Sequence, residues 1–204
     1  MKRSFIRTIL ALPVLILLNA CTSSFQGEYS NPDAVEIVDD RWNETDARKT
    51  SEILIKSMLE KPWLMDFIQA KKGEKPFVLV DDVENRTDEH IDTKAMLEAI
   101  RFELINSGRI RFVEGKDRDK ILKEIRYQSE SGMVDQAHAK QKGKQKGSDF
   151  LLTGALSSQV HTQAGLKTVT YQTVLQLTNL ETAEIVWVQK YDIKKRFNRS
   201  SSKW

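Results

Sequence analysis

The sequence predicts an α+β domain, a mainly antiparallel sheet of four to five strands flanked by helices, following a short flexible tether. Three observations carry this reading. Apolar residues recur at helical spacing from about residue 45 to residue 125. They alternate with polar residues through most of 150–193, the period of half-buried strands. Residues 22–40 are polar, rich in Ser, Asn, Asp and Glu, with little periodicity. Helices and antiparallel strands that are segregated along a chain in this way pack as one layer on another.

Taken in order, the chain opens with the three parts of a secretory signal. Lys2, Arg3 and Arg7 supply a positive start, Ile9 to Leu18 an apolar run broken only by Pro13, and Leu18-Asn19-Ala20-Cys21 a small residue before cysteine. An apolar run of about ten residues is too short to span a bilayer, which takes roughly 20. The pattern predicts cleavage after Ala20 and lipidation of Cys21. Cys21 is the only cysteine, so it has no partner for an internal disulfide, and acylation would consume a thiol that is otherwise a liability in an oxidising compartment. Several acyl chains, at about 0.8 kcal/mol per buried methylene, hold a protein on a membrane almost permanently. Thr22, in place of Asp, directs the expectation to the outer membrane, facing the periplasm.

The expected organisation is a leader over 1–20, a lipidated tether over 21–41, a domain over 42–196 and a basic tail over 197–204. A first helix is expected from Thr45 or Asp46, either serving as its cap, with Leu54, Ile55, Met58 and Leu59 as its stripe. Pro62 suits the first turn of a second helix through Trp63, Phe67 and Ile68. Phe77 to Val80 reads as a short buried strand. Asp92 caps a helix carrying Leu97, Ile100 and Leu104, which Gly108 ends. Ile110 to Val113 is a brief strand, Asp117 opens a helix with the stripe Ile121, Leu122 and Ile125, and 135–146 reads as a polar helix ended by Gly147. Beyond it, Phe150, Leu152, Leu156 and Val160 alternate, as do Val169, Tyr171, Leu175 and Leu177, and then Ile185, Trp187, Tyr191 and Ile193. His161 to Thr170 reads as a long hairpin tip, and Asn179 to Glu184 as a second turn.

Charge and chemistry narrow the function. The leader carries three of the 32 Lys and Arg residues and none of the 29 Asp and Glu, so the mature chain is neutral. The sequence pI of 8.9 is therefore no pointer to nucleic acid. The three histidines, His90, His138 and His161, form no zinc motif, and no serine-hydrolase or transpeptidase signature occurs. Gly143-Lys144-Gln145-Lys146-Gly147 has glycines at a suggestive spacing but lacks the Gly-Lys-Ser/Thr of a phosphate loop. The adjacent Asp81 and Asp82 point to opposite faces of a strand and do not converge. No enzyme activity, cofactor or metal is expected. Two places suit a partner instead. Arg86 and His90 lie in a polar loop, where capping and loop hydrogen bonds are the competing explanation. Leu166, Lys167 and Tyr171 lie about the hairpin tip, where an exposed patch competes with a loop packed on its own domain.

A set of short segments then resembles one family. In order they are Glu84-Asn85-Arg86-Thr87, His90-Ile91-Asp92, Ser107 to Val113, Ser131 to Asp135, Gly143-Lys144-Gln145, Leu152-Thr153-Gly154, and Leu177 to Thr182 with Ile185-Val186-Trp187. Over about residues 42–196 the chain resembles LpoB, the outer-membrane lipoprotein activators of class A penicillin-binding proteins. The resemblance implies a fold like the TolB N-terminal domain and a non-enzymatic regulator, monomeric in its folded part. Such a regulator docks on a bifunctional peptidoglycan synthase and stimulates it. Ala183 departs from the family, which often has Gly there, and the tether is shorter than in some relatives. The last hairpin pattern is shared with TolB- and CsgG-type periplasmic proteins, which leaves an assembly or secretion lipoprotein as the alternative.

Overall fold

Asn43, two residues earlier than expected, starts the first helix. In the computed structural model, which describes residues 27–31, 34–35, 37, 39–113, 115 and 117–198, helix α1 spans Glu44–Glu60. The Asn43 side chain accepts from the Asp46 N–H, and the Asp46 carboxylate accepts from the Asn43 N–H, both at 3.0 Å. This is a capping box. Asp46 is its third-position member and not the cap itself, and Thr45 is not the cap either. The chain divides by its contacts into Met1–Ala34 and Val35–Trp204. Of the first unit, residues 27–31 and 34 carry no helix or strand. Everything below concerns the second.

Helix α2 is Pro62–Ala70, with Pro62 in its first turn as expected, and the Trp63 indole ties it back by donating to the Met58 carbonyl at 2.8 Å. Strand β1 is Phe77–Arg86, and helix α3, Thr93–Asn106, is capped by Asp92, whose carboxylate accepts from the Lys94 N–H at 3.0 Å. Gly108 ends α3 at φ +62°. Strand β2 is only Arg111–Phe112, and helix α4 is Arg118–Glu130. Ile125 is the buried residue of α4, while Ile121 and Leu122 are 37 and 39 % exposed. The helix expected over 135–146 is absent: the segment forms turns and irregular chain. It offers no apolar stripe to bury, so nothing offsets the cost of nucleating a helix.

Strands β3 (Phe150–Gln163), β4 (Leu166–Asn179) and β5 (Ile185–Asn198) complete a five-stranded sheet in the order β2-β1-β3-β4-β5. The three long strands are antiparallel, whereas β1 runs parallel to both β2 and β3. The antiparallel part is the part whose alternation is visible in the sequence. β1 is longer than expected and continues past Val80 to Arg86, with its register against β3 shifting between Val80 and Val83. β5 runs two residues past position 196. The tip between β3 and β4 is two residues, not ten. Ala164 and Gly165 sit at φ +47° and +81°, and His161, Thr162 and Gln163 pair with Thr168, Lys167 and Leu166. Consecutive left-handed residues match the strand twist and permit the tightest hairpin.

One face of the sheet carries the core. Leu152, Leu175, Leu177 and Trp187 pack with Leu54, Ile55 and Met58 of α1 and Met96, Ile100 and Leu104 of α3. A smaller cluster joins Leu156, Val169 and Tyr171. Gly154 lies where β4 leaves no room for a side chain on β3: a Cβ there would meet a Leu175 methyl at 2.3 Å and the Val174 carbonyl at 2.9 Å. Ala183, in the β4–β5 turn, holds φ +61° without being glycine. That conformation costs a residue with a Cβ about 1–2 kcal/mol, partly offset in glycine by greater chain entropy. Ala183→Gly is expected to stabilise the fold by about 1 kcal/mol and Gly154→Ala to destabilise it by about 1–3 kcal/mol. Urea denaturation reads both, and an Ala183→Gly variant less stable than the wild type would contradict the first.

Candidate functional site

The residues singled out in the sequence fall largely at one end of the sheet, where the chain enters the domain. Cys21, the leader and residues 199–204 of the basic tail lie outside the described residues. Tyr171 is reached by the inward alternation of β4 and is 0 % exposed. Its hydroxyl donates to the Glu89 carboxylate and lies 3.1 Å from the Asp40 carbonyl oxygen, a second acceptor. The other Glu89 oxygen accepts from the Trp42 N–H at 3.3 Å, and the Trp42 ring meets the Tyr171 ring edge-on, centroids 5.4 Å apart.

Lysines from β4 and β5 fasten the same segment. Lys167 pairs with the Asp40 carboxylate, and Lys195 donates to the Arg41 carbonyl. Lys195 also pairs with Asp46 at 2.6 Å; the two residues are 5 and 7 % exposed. The Lys195 ammonium lies 5.9 Å from the Tyr171 ring centroid, within cation–π reach. Residues 40–42 are thus gripped by Glu89 from the loop after β1, by Tyr171 and Lys167 from β4, and by Lys195 from β5. Burial pushes the Tyr171 hydroxyl well above its usual range, and the hydrogen bond to Glu89 and the charges of Glu89 and Asp40 add to it. The hydrogen bond from Lys167 holds Asp40 below the usual carboxylate range.

The structure places the residues expected to meet a partner apart from one another. Leu166 and Lys167 are neighbours on a strand, so their side chains leave on opposite faces. Lys167 and Tyr171 share the inner face, where one is committed to Asp40 and the other is buried. Leu166 is half-buried, opposite Gln163 and Asn198. Arg86 is exposed and ends β1, not a loop; Glu84 takes its guanidinium at 2.6 and 2.8 Å, a solvated pair of small energetic value. His90 is exposed and lines a cavity of about 600 Å³ with Trp42, Asn43, Glu89, Ile91 and Asp92. Asp40, Trp42, Glu89 and Lys195 were not expected here. Lys195 had a signal: it continues the inward series Trp187, Tyr191, Ile193, and a lysine on an inward position needs an acid.

Among the described residues, no three His, Cys, Asp or Glu side chains cluster to hold a metal ion, and no helix is long and apolar enough to cross a membrane. Asp40, Asp46, Glu89, Lys167 and Lys195 are engaged in holding chain to chain. What the arrangement does chemically is fix the point where the preceding segment joins the domain.

A family model described as the peptidoglycan-synthase activator LpoB matches residues 46–193. Among solved structures, the C-terminal domain of LpoB from Salmonella enterica is 18 % identical, covering 72 % of this chain and 98 % of that one, with a TM-score of 0.41. The same domain from Escherichia coli has the same identity and coverage and a TM-score of 0.42. The lipoprotein GNA1162 from Neisseria meningitidis is 17 % identical over 62 % of this chain and 88 % of that one, with a TM-score of 0.38. No curated protein gives a significant match.

Tyr171→Phe leaves the Glu89 carboxylate without its hydroxyl donor and is expected to cost about 1–3 kcal/mol at pH 7. The raised Tyr171 pKa fixes the sign of the pH effect. The unfolded hydroxyl ionises from about pH 10 while the folded one stays neutral, so this contribution is complete below pH 10 and is lost as pH rises. Urea denaturation should show the gap between wild type and Tyr171→Phe narrowing above pH 10; a constant or widening gap would contradict the assignment.

Proposed function

The chain belongs to the LpoB family of peptidoglycan-synthase activators, and on that premise we propose that it is a non-enzymatic regulator that binds a bifunctional class A penicillin-binding protein and stimulates it. The observation that carries the reading is the span of the family match, residues 46–193, which runs from α1 through most of β5. The alternative of an assembly or secretion lipoprotein draws no support from that match.

In this reading the protein is anchored in the outer membrane through acyl chains on Cys21 and faces the periplasm. The grip on residues 40–42 makes the tether a segment of defined length. From Cys21 to Asp39 a fully extended chain spans at most about 65 Å. The domain must meet a synthase within that radius plus its own length, and β3 to β5, at 14 residues each, are about 45 Å long. Activation follows from linkage: a regulator that binds the active conformation of the synthase more tightly than the inactive one shifts the population towards it. A tenfold shift takes about 1.4 kcal/mol of differential affinity.

The purified full-length protein in detergent is expected to bind the class A synthase of its own cell and to raise the rate of glycan polymerisation from fluorescent lipid precursor. Absence of binding to that synthase would overturn the proposal. Cys21→Ala is expected to leave stimulation in detergent unchanged and to remove the protein from the outer-membrane fraction of cells. A variant that still fractionates with the outer membrane would sink the anchoring part alone.

A further inference from the structure

The far end of the sheet, about 26 Å along β4 from Tyr171, carries a second concave surface. A groove of about 930 Å³ lies between α2 and the start of β3 on one side and the β4–β5 turn on the other. Its floor is aromatic: Trp63 and Phe67 each meet Phe150 edge-on, with centroids 5.0 and 5.3 Å apart. Phe67 is half-buried, and Ile185 on the wall is 57 % exposed. The rim is acidic, with Asp66, Asp149, Glu181 and Glu184 facing Lys71 alone among basic lining residues. Asp149 accepts from the Phe77 N–H at 2.7 Å and Glu184 from the Thr182 hydroxyl at 3.0 Å. The Asp66 and Glu181 carboxylates have no partner among the described residues.

The walls are set by the fold's own hydrogen bonds. The Asn179 side chain accepts from the N–H groups of Glu181 and Thr182 at 2.8 and 3.2 Å, and the Leu180 N–H donates to the Asp149 carbonyl at 2.9 Å. The shape is therefore built before any occupant arrives, which lowers the ordering cost of binding. An apolar floor inside a negative rim selects for an apolar side chain flanked by positive ones and repels acidic chains. Lys71 is the one basic residue of the lining among the described residues; Lys194 and Arg196 lie near the other end of β5, a 14-residue strand about 45 Å long that begins at this groove.

We propose that this groove docks a cationic segment of a protein partner, placing an aliphatic or aromatic side chain over Phe67 and Ile185 and lysine or arginine side chains against Asp66, Glu181 and Glu184. This rests on the partner-binding reading above and goes beyond it by naming the surface and the chemistry of what it meets. Exposed charges at such a rim act mainly on the association rate and lose their effect in high salt.

The test reverses the two partnerless charges, Asp66→Lys with Glu181→Lys, in the full-length protein. The expected result is about tenfold weaker binding to the class A synthase at low salt, a loss that shrinks in high salt, with an unchanged urea midpoint. Lys194→Glu, at the far end of β5, should leave binding as it is. Wild-type affinity in the double variant would overturn the proposal. So would a salt-sensitive oligomer of the wild type that dissociates in the double variant on sedimentation, because the occupant would then be a second copy. If the wild type does not bind the synthase, the function proposed above fails, and the groove is judged separately. An amidated peptide of alternating lysine and phenylalanine should shift the Ile185 methyl resonances, with no shift from the glutamate–phenylalanine counterpart or in the double variant. Equal shifts from both peptides, or none from either, would overturn the groove as well.

Discussion

Lys195 is a charged residue at an inward position of a strand, and much of one end of the domain is organised by the need to satisfy it. The ammonium is nearly removed from water, so it requires a carboxylate and further acceptors close by. Asp46 supplies the carboxylate and the Arg41 carbonyl another acceptor. Asp46 is also the third residue of the capping box that starts α1. One carboxylate thus links the start of the first helix, the end of the last strand and the entering chain. Removing one partner from a buried pair of this kind leaves the other uncompensated, at about 3–5 kcal/mol. Helix start, strand end and entry segment are therefore coupled.

Tyr171 extends the same constraint to β1. Its ring fills the smaller core cluster against Trp42, and its hydroxyl needs an acceptor because it is buried. Glu89 provides one from the loop that follows β1 and uses its other oxygen on the Trp42 backbone. The two ends of the sheet consequently differ in character. At the entry end, Asp40, Asp46, Glu89, Lys167, Tyr171 and Lys195 fasten the chain to itself. At the groove end, Asp66 and Glu181 have no partner among the described residues and stand around an aromatic floor.

The sheet combines two pairing modes. Parallel pairing of β1 with β2 and β3 requires crossovers, and α3 and the long connection through α4 supply them. The antiparallel strands β3 to β5 need only tight turns. Both turns use left-handed residues, Ala164 with Gly165 and Ala183, two of which carry a Cβ. Alanine at such positions does not advertise a turn as Asn-Gly would, which is why a long tip at 161–170 is the natural reading of the sequence.

The sequence by itself determined the α+β class, the order of the elements, the cap at Asp92, the proline start of α2 and the inward series of β4 and β5. These are legible because they depend on neighbours within a few residues: an apolar period, a cap, a proline. It also placed the chain beside LpoB, through short segments whose order matters more than any one of them. Tertiary structure decided the rest. The parallel place of β1 and the burial of Tyr171 depend on what lies across the sheet. The grip of Glu89 and Lys195 on residues 40–42 joins positions 47 and 154 residues apart. A pairing over such distances has no local period to announce it. The chain must fold before a buried lysine finds its carboxylate or an aromatic floor acquires an acidic rim.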